Sequence, residues 1–291
     1  MKEIVVISGK GGTGKTSITA SLAYLGGEDL IVADCDVDAA DMHLLLSPDF
    51  GNPEEFYSGE LAVINQDVCI QCGKCQEVCR FDAISVVNNQ YFVDSLGCEG
   101  CGYCARVCPA EAITNERPGV GQVFVSNIRT GSAMVHARLN IGADNSGKLV
   151  AKVKKDAKSL AESKNKTAVL VDGSPGLGCP VVSSLSGANF VVLVTESTVS
   201  GIHDLKRVYE LVEKFGIKAG CIINKADLNP GVTDKIKGFL DASGIVLLSE
   251  IPYNESFTKA MTNGKTIVEY DKELGAIISG SWEQIKELCE I

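Results

Sequence analysis

The sequence predicts an α/β fold: a mostly parallel sheet with helices on both faces, plus a small inserted α+β domain. Three observations carry that expectation. Apolar strand-like runs alternate with segments of helical periodicity through most of the 291 residues, the pattern of a parallel sheet covered on both sides. The first run, Ile4-Val5-Val6-Ile7, feeds directly into the glycine-rich stretch Gly9-Lys10-Gly11-Gly12-Thr13-Gly14-Lys15-Thr16. Eight of the 12 cysteines crowd into residues 69–108 and interrupt the alternation.

In chain order, the first strand covers about residues 3–8, and Ile18, Leu22 and Leu25 at helical spacing predict a helix to about residue 25. Leu30-Ile31-Val32-Ala33 reads as a strand ending on Asp34; Asp36, Asp38 and an apolar run from Met42 to Leu46 follow. Pro48, Gly51, Asn52 and Pro53 break the pattern, and the first boundary is placed at residue 59. Residues 60–116 form the inserted domain, and Arg117-Pro118-Gly119 marks its exit. Residues 123–125 and 133–141 look strand-like, and 148–166 reads as a helix with a solvated lysine face. Then come strands at 168–171 and 190–195, a helix at 202–215, a strand at 219–223, a helix at 232–242, a strand at 245–250 and a last helix at 273–289. The larger domain is therefore discontinuous, 1–59 and 117–291.

A hydrophobic fraction of 45% is ordinary for a globular core. No apolar run approaches the roughly 20 residues of a membrane span, and Met1-Lys2-Glu3 leads straight into a strand without a basic, cleavable leader. A cytoplasmic protein is expected, in a compartment that keeps thiols reduced and favours metal ligation over disulfides. The net charge of −10 argues against nucleic-acid or anionic-membrane binding.

Cys69, Cys72, Cys75 and Cys79 have the spacing C-x2-C-x2-C-x3-C, which returns as Cys98, Cys101, Cys104 and Cys108, the last followed by Pro109. Such a run wraps the backbone around an iron–sulfur cluster so that three thiolates face it, and the fourth comes from a remote cysteine. Doubled runs pair crosswise, so the expectation is two 4Fe–4S clusters: one on Cys69, Cys72, Cys75 and Cys108, the other on Cys98, Cys101, Cys104 and Cys79. A zinc site and a disulfide framework are the alternatives, and the spacing disfavours both. Ala83-Ile84 after Cys79 matches Ala112-Ile113 after Cys108, although Arg80 stands where Pro109 does. So short a domain has little apolar core, and bound clusters would hold it together.

Residues 9–16 fit G-x-x-x-x-G-K-S/T between a strand and a helix, the setting that a phosphate-binding loop requires. Gly9, Gly11, Gly12, Thr13 and Gly14, with Lys15, Thr16 and Ser17, form the expected cradle. Backbone N–H groups and the helix N-terminus meet the phosphates, Lys15 reaches the β- and γ-phosphates, and the Thr16 hydroxyl takes Mg²⁺.

With Lys10, this loop resembles the deviant Walker A motif of the MinD/ParA/Mrp class of P-loop ATPases, which includes the nitrogenase iron protein. With the cysteine runs, the whole chain resembles the members that carry an inserted ferredoxin domain. The resemblance implies ATP hydrolysis in a homodimer, with Lys10 reaching the partner's phosphates; a solvated loop lysine is the plain alternative. It implies that Asp36 orients the attacking water, that Asp34 joins the Mg²⁺ shell, and that Asp38 is a spare carboxylate or a helix cap. Val169-Leu170-Val171-Asp172-Gly173-Ser174-Pro175-Gly176 looks like Walker B running into switch II, with Asp172 on Mg²⁺ through water. Asn224-Lys225-Ala226-Asp227 resembles the base-recognition strand end, where Asn224 would meet adenine and Pro252 would lie on a loop packed against the base. N-K-x-D also occurs in GTPases, and turn chemistry could account for either residue. The catalytic set is then Lys10, Lys15 and Asp36, the cofactors ATP, Mg²⁺ and two clusters. The partners are a second copy and a redox or metal-assembly protein. The output would be electron delivery to that partner or maturation of its metal centre; the alternative is an ATP-gated cluster carrier.

Cys179 follows Asp172 at the offset where the nitrogenase iron protein holds a cluster between subunits. No second cysteine is placed to pair with it, so it is expected to be a small buried residue, like Cys35, Cys221 and Cys289. The C-terminal C-x2-C of Mrp-type carriers is absent. The last helix sets Glu283, Glu287 and Glu290 against Trp282, Ile285 and Leu288, an acidic face unsuited to anionic lipid.

Overall fold

The computed structural model describes all of the chain except residues 38, 39, 52, 141 and 143–145, and the side chain at 146. β1 (Lys2–Ile7) leads into α1 (Lys15–Gly26), and β2 (Leu30–Asp34) is followed by α2 (Met42–Leu46). β3 (Glu54–Tyr57), β4 (Leu61–Ile64), α3 (Lys74–Glu77), β5 (Ile84–Val87), β6 (Gln90–Val93), α4 (Tyr103–Val107) and β7 (Ile113–Glu116) come next. β8 (Gly119–Asn127) and β9 (Ala133–Leu139) precede α5 (Ser146–Ser163), β10 (Ala168–Asp172) and α6 (Cys179–Leu185). The chain ends with β11 (Phe190–Glu196), α7 (Val199–Lys214), β12 (Lys218–Asn224), α8 (Pro230–Ser243), β13 (Val246–Ile251), α9 (Ser256–Thr262), α10 (Ile267–Tyr270) and α11 (Lys272–Cys289).

The main sheet runs β13-β12-β11-β1-β10-β2-β9-β8-β3, and every pairing from β13 to β9 is parallel. The central strands IVVI, AVLV and FVVLV are buried along their length, as strands covered on both faces must be. Caps fix the helices behind them. The Thr198 side chain accepts from Gly201 N at the start of α7, Asn229 from Val232 N at the start of α8, and Asp271 from Glu273 N and Leu274 N at the start of α11. Trp282, Ile285 and Ile278 of α11 join Ile18 and Leu22 of α1 in one core.

Register decides what meets at the carboxyl ends of these strands. Asp172 is the Cα partner of Val6 on one side and of Asp34 on the other, and Glu196 is the partner of Asn224. In open parallel sheets this edge is where ligands bind.

The chain divides into two compact units: residues 1–54, 123–138 and 146–291, and residues 55–122 with 139–145. The second is broader than the 60–116 insertion expected from composition. Its entry and exit stems hydrogen-bond to each other, Gln122 Nε2 to Glu55 Oε1 at 2.6 Å and Ser58 N to Pro118 O at 3.3 Å, so they belong together. Inside it β4 pairs antiparallel with β7, and β5 with β6. Its core is Ala62, Ile84 and Ile113 with Cys75 and Cys104. The internal repeat is visible in the backbone. Gln71 and Gly100, Gly73 and Gly102, and Asp82 and Glu111 occupy matching positions, all with positive φ.

The solvated lysine face expected over 148–166 needs correction at Lys154. Its side chain is 7% exposed and its Nζ lies 2.6 Å from Glu3 Oε1. It also donates to Ser186 O at 2.7 Å and to Ser184 O, at the end of α6. The sequence misses this because neither β1's single glutamate nor the short α6 declares itself by periodicity. Helices α6, α9 and α10 also escaped notice, being at most 7 residues long. Among the described residues no helix is long and apolar enough to cross a membrane.

Breaking the Lys154–Glu3 pair leaves a buried carboxylate with no counter-charge. Lys154→Ala should cost about 3–5 kcal/mol in urea unfolding, and Lys154→Met combined with Glu3→Gln should recover most of it; a loss within error for the single variant would show that the pair is solvated.

Candidate functional site

The loop between β1 and α1 turns through Gly12 and Gly14, with φ of +79° and +89°, conformations that cost glycine little and other residues more. Both flanks are tight. A Cβ on Gly14 would sit 2.5 Å from Asn224 Nδ2, and one on Gly9 2.5 Å from the Asp204 carbonyl oxygen. A Cβ on Gly11 would meet nothing within 4 Å, and Ser17 lies in the first turn of α1. The Thr13 hydroxyl is buried without a hydrogen-bond partner.

Behind the loop sits Asp172, wholly buried at the end of β10. Its Oδ2 accepts from Thr16 Oγ1 at 2.8 Å, and its Oδ1 accepts from Thr19 Oγ1 at 2.8 Å and Lys15 Nζ at 2.9 Å. Lys15 also lies 3.4 Å from Asp36 Oδ2. Burial works to lower the Lys15 pKa, but Asp172, Asp36 and Asp34 outweigh it and hold the ammonium charged. Burial, and then the charge of Asp172, push the Asp34 carboxyl well above the usual range. Asp34 Oδ1 accepts from Asp36 N at 3.1 Å. Asp38, the spare carboxylate of the sequence reading, lies outside the described residues. The segments after β2 and β10 are tied together, Ser174 Oγ donating to Cys35 O at 2.7 Å and Cys35 N to Asp172 O at 2.8 Å.

On the other side of the loop the expected site residues have partners within the chain. Lys10 is held in its own chain: Nζ lies 2.6 Å from Glu196 Oε1, 2.7 Å from Ser200 Oγ and 3.4 Å from Thr198 Oγ1. Asn224, assigned to a base, here pins the loop. Its Nδ2 donates to Thr13 O at 2.8 Å, and its Oδ1 accepts from Lys225 N at 2.9 Å. Lys225 Nζ reaches Gly12 O at 3.1 Å and Glu196 Oε2 at 2.8 Å. Pro252 is exposed just past β13; the next residue, Tyr253, donates its N–H to Asp227 Oδ1 at 2.6 Å, so the N-K-x-D aspartate anchors the loop that carries Pro252.

Thr19 and Glu196 belong to this constellation and went unnoticed in the sequence, and Lys225 was read only as part of N-K-x-D. For Glu196 a signal existed: like Asp34 and Asp172 it is a carboxylate on the last residue of a buried strand. Cys179 corrects another expectation, being exposed at the first position of α6, whereas Cys35, Cys221 and Cys289 are buried. Phase explains the difference: Cys179 opens a helix whose buried side is Val181, Ser184 and Leu185.

In the second unit none of the eight cysteines is paired in a disulfide. They surround two separate cavities. Cys69, Cys72, Cys75 and Cys108 line one, and Cys79, Cys98, Cys101 and Cys104 line the other. Ala112 N donates to Cys108 Sγ at 3.3 Å. Among the described residues no three His, Cys, Asp or Glu side chains converge tightly enough to hold a single metal ion.

With this fold and loop the chain belongs to the CobQ/CobB/MinD/ParA nucleotide binding domain family, whose model matches residues 4–267. An uncharacterized protein of Methanocaldococcus jannaschii is 32% identical to it over 290 residues, covering 98% of this chain and 96% of its own length. A second, described as an uncharacterized ATP-binding protein of the same organism, is 24% identical over 99% and 98% of the two chains. Among solved structures, the septum site-determining protein MinD of Pyrococcus horikoshii, complexed with Mg-ADP, overlays with a TM-score of 0.59 at 20% identity, covering 99% and 96% of the two chains. Apo McdA of Cyanothece overlays with a TM-score of 0.59 at 15% identity, covering 98% and 99%. At such identities the likeness is one of fold.

Lys15→Ala would leave Asp34, Asp36 and Asp172 facing one another without their shared ammonium. Its melting temperature should fall, and the fall should shrink in millimolar Mg²⁺, since a divalent cation can take up the same carboxylates; melting equal to wild type would show that the ammonium carries no such burden.

Proposed function

We propose that this protein is an ATPase that works as a homodimer and couples ATP binding and hydrolysis to two 4Fe–4S clusters in an inserted ferredoxin-like unit. The observation that carries the cluster half of this reading is the grouping of cysteines. Each cavity is lined by three cysteines of one run and the fourth of the other, the crosswise sets that the spacing rule requires. A four-iron cube holds its thiolates apart around a body of several atoms, so a lined cavity fits it better than the tight convergence a single ion demands. When bound, clusters supply one-electron redox chemistry.

For the nucleotide half, Lys15 would meet the β- and γ-phosphates, and the N–H groups of residues 9–17 would cradle them. Thr16, Asp172 and Asp34 would hold Mg²⁺, and Asp36, next to Lys15, would orient the attacking water. Lys10 would serve the phosphates of a second copy. Asn224 keeps one amide N–H beyond its bond to Thr13, enough to meet a base edge, with Pro252 on the neighbouring loop. ATP rather than GTP follows from family likeness. The Ser174–Cys35 hydrogen bond joins the two segments that a γ-phosphate would order, so release of one on hydrolysis would be felt by the other. The output is electron delivery to a partner protein or maturation of its metal centre. The acidic net charge leaves nucleic acid and anionic membrane out of the reading, and the setting is cytoplasmic.

One observation favours a second reading, an ATP-gated cluster carrier: Cys72 and Cys101 are exposed, which would let an acceptor thiol reach each cluster. Ready transfer of iron and sulfide to an apo-protein acceptor would support the carrier over the redox role.

Two variants test the proposal together, on protein reconstituted anaerobically. Asp36→Asn should abolish ATP hydrolysis and keep full iron content, whereas Cys69→Ser should lose about half the iron, one cluster of the pair, and keep nucleotide binding. Wild type without bound iron would sink the cluster half, and hydrolysis unaffected by Asp36→Asn would sink the catalytic assignment.

A further inference from the structure

Lys10 and Glu196 carry a consequence for how two copies come together. An ammonium has three donors, and those of Lys10 are met by Glu196 Oε1 at 2.6 Å, Ser200 Oγ at 2.7 Å and, more loosely, Thr198 Oγ1 at 3.4 Å. A lysine so saturated must give up a partner before it can touch phosphate. The acceptors are rigidly presented. Thr198 caps α7 through Gly201 N at 3.0 Å, Thr198 N donates to Glu196 O at 2.8 Å, and α7 packs so closely on Gly9 that a Cβ there would meet the Asp204 carbonyl oxygen at 2.5 Å. Glu196 is itself shared, its Oε2 accepting from Lys225 Nζ at 2.8 Å. If Lys10 leaves, Glu196 keeps a cation and is not stranded as a buried lone charge. Burial disfavours the charged carboxylate, but the hydrogen bonds from Lys10 and Lys225 outweigh it and hold Glu196 below the usual glutamate range.

We infer that Glu196 is a positioning residue that stores Lys10 within its own chain, so that docking of a second copy exchanges a Glu196–Lys10 bond for a lysine–phosphate bond while Lys225 keeps Glu196 satisfied. The inference rests on the homodimer reading above. It gives Glu196 two effects: it restrains premature association, and it returns Lys10 to a fixed position on release. The exchange moves hydrogen bonds only, with no covalent change.

Sedimentation of the full chain with Mg²⁺ and a non-hydrolysable ATP analogue tests this. Glu196→Gln should dimerise at about tenfold lower protein concentration than wild type, a factor equal to ~1.4 kcal/mol. In a Lys10→Ala background the same substitution should have no effect, because nothing is left to store; a structural role for Glu196 would not show that dependence. Ser200→Ala, at an exposed helix start, removes one acceptor without touching Glu196 or Lys225 and should shift association the same way, by about threefold. Glu196→Gln and Ser200→Ala chains that fold normally and dimerise no better than wild type would overturn the inference and leave the homodimer standing. A wild type that stays monomeric with the analogue would overturn both.

Discussion

The carboxylate of Asp172 has no exposure to water, and a charge so placed persists only when donors surround it. Two threonines and one lysine of α1 supply them, each within 2.9 Å. That requirement fixes the start of α1 against the end of β10 and so sets the height of the glycine loop between β1 and α1. Register does the rest: with Asp34 beside Asp172 and Asn224 beside Glu196, the polar ends of four buried strands meet the loop from two sides. The left side, in this sense, is a carboxylate cluster that shares the ammonium of Lys15. The right side is a carboxylate shared by Lys10 and Lys225.

The second unit meets a different constraint with different means. Its core of small and β-branched residues is thin, and two of the residues in it, Cys75 and Cys104, are themselves candidate ligands. Under the proposed function, loading with clusters would also stabilise this unit, as in small metal-dependent domains. The duplicated positive-φ positions, Gly73 with Gly102 and Gln71 with Gly100, turn the backbone around each cavity in the same way, so two halves of modest similarity build two pockets of one design.

Much of this was legible in the sequence because the signals were local. The strand–loop–helix at residues 3–25, the aspartates at 34 and 172 and the strand alternation to residue 250 each depend on neighbours within a few positions. The grouping of the cysteines around two cavities follows the repeat in their spacing, which is itself local. What escaped depended on contacts distant in sequence. Lys154 looked like one of many surface lysines until Glu3, on the first strand, appeared beside it. The bond of Asn224 to Thr13 is a matter of how closely β12 approaches the loop. Cys179 was expected to be buried on residue type alone, and helix phase put it on the surface. Lys10 was assigned to a partner by resemblance, while its resting place on Glu196 needed the third dimension.

The central claim is that the nucleotide switch and the cysteine unit, carried on one chain, act on each other. Anaerobic potentiometry of the two proposed clusters on reconstituted protein, with and without Mg²⁺ and an ATP analogue, tests that coupling. The account predicts that at least one cluster's reduction potential shifts when nucleotide binds. Potentials that coincide in the two conditions, on protein shown to be loaded with both iron and nucleotide, would contradict it.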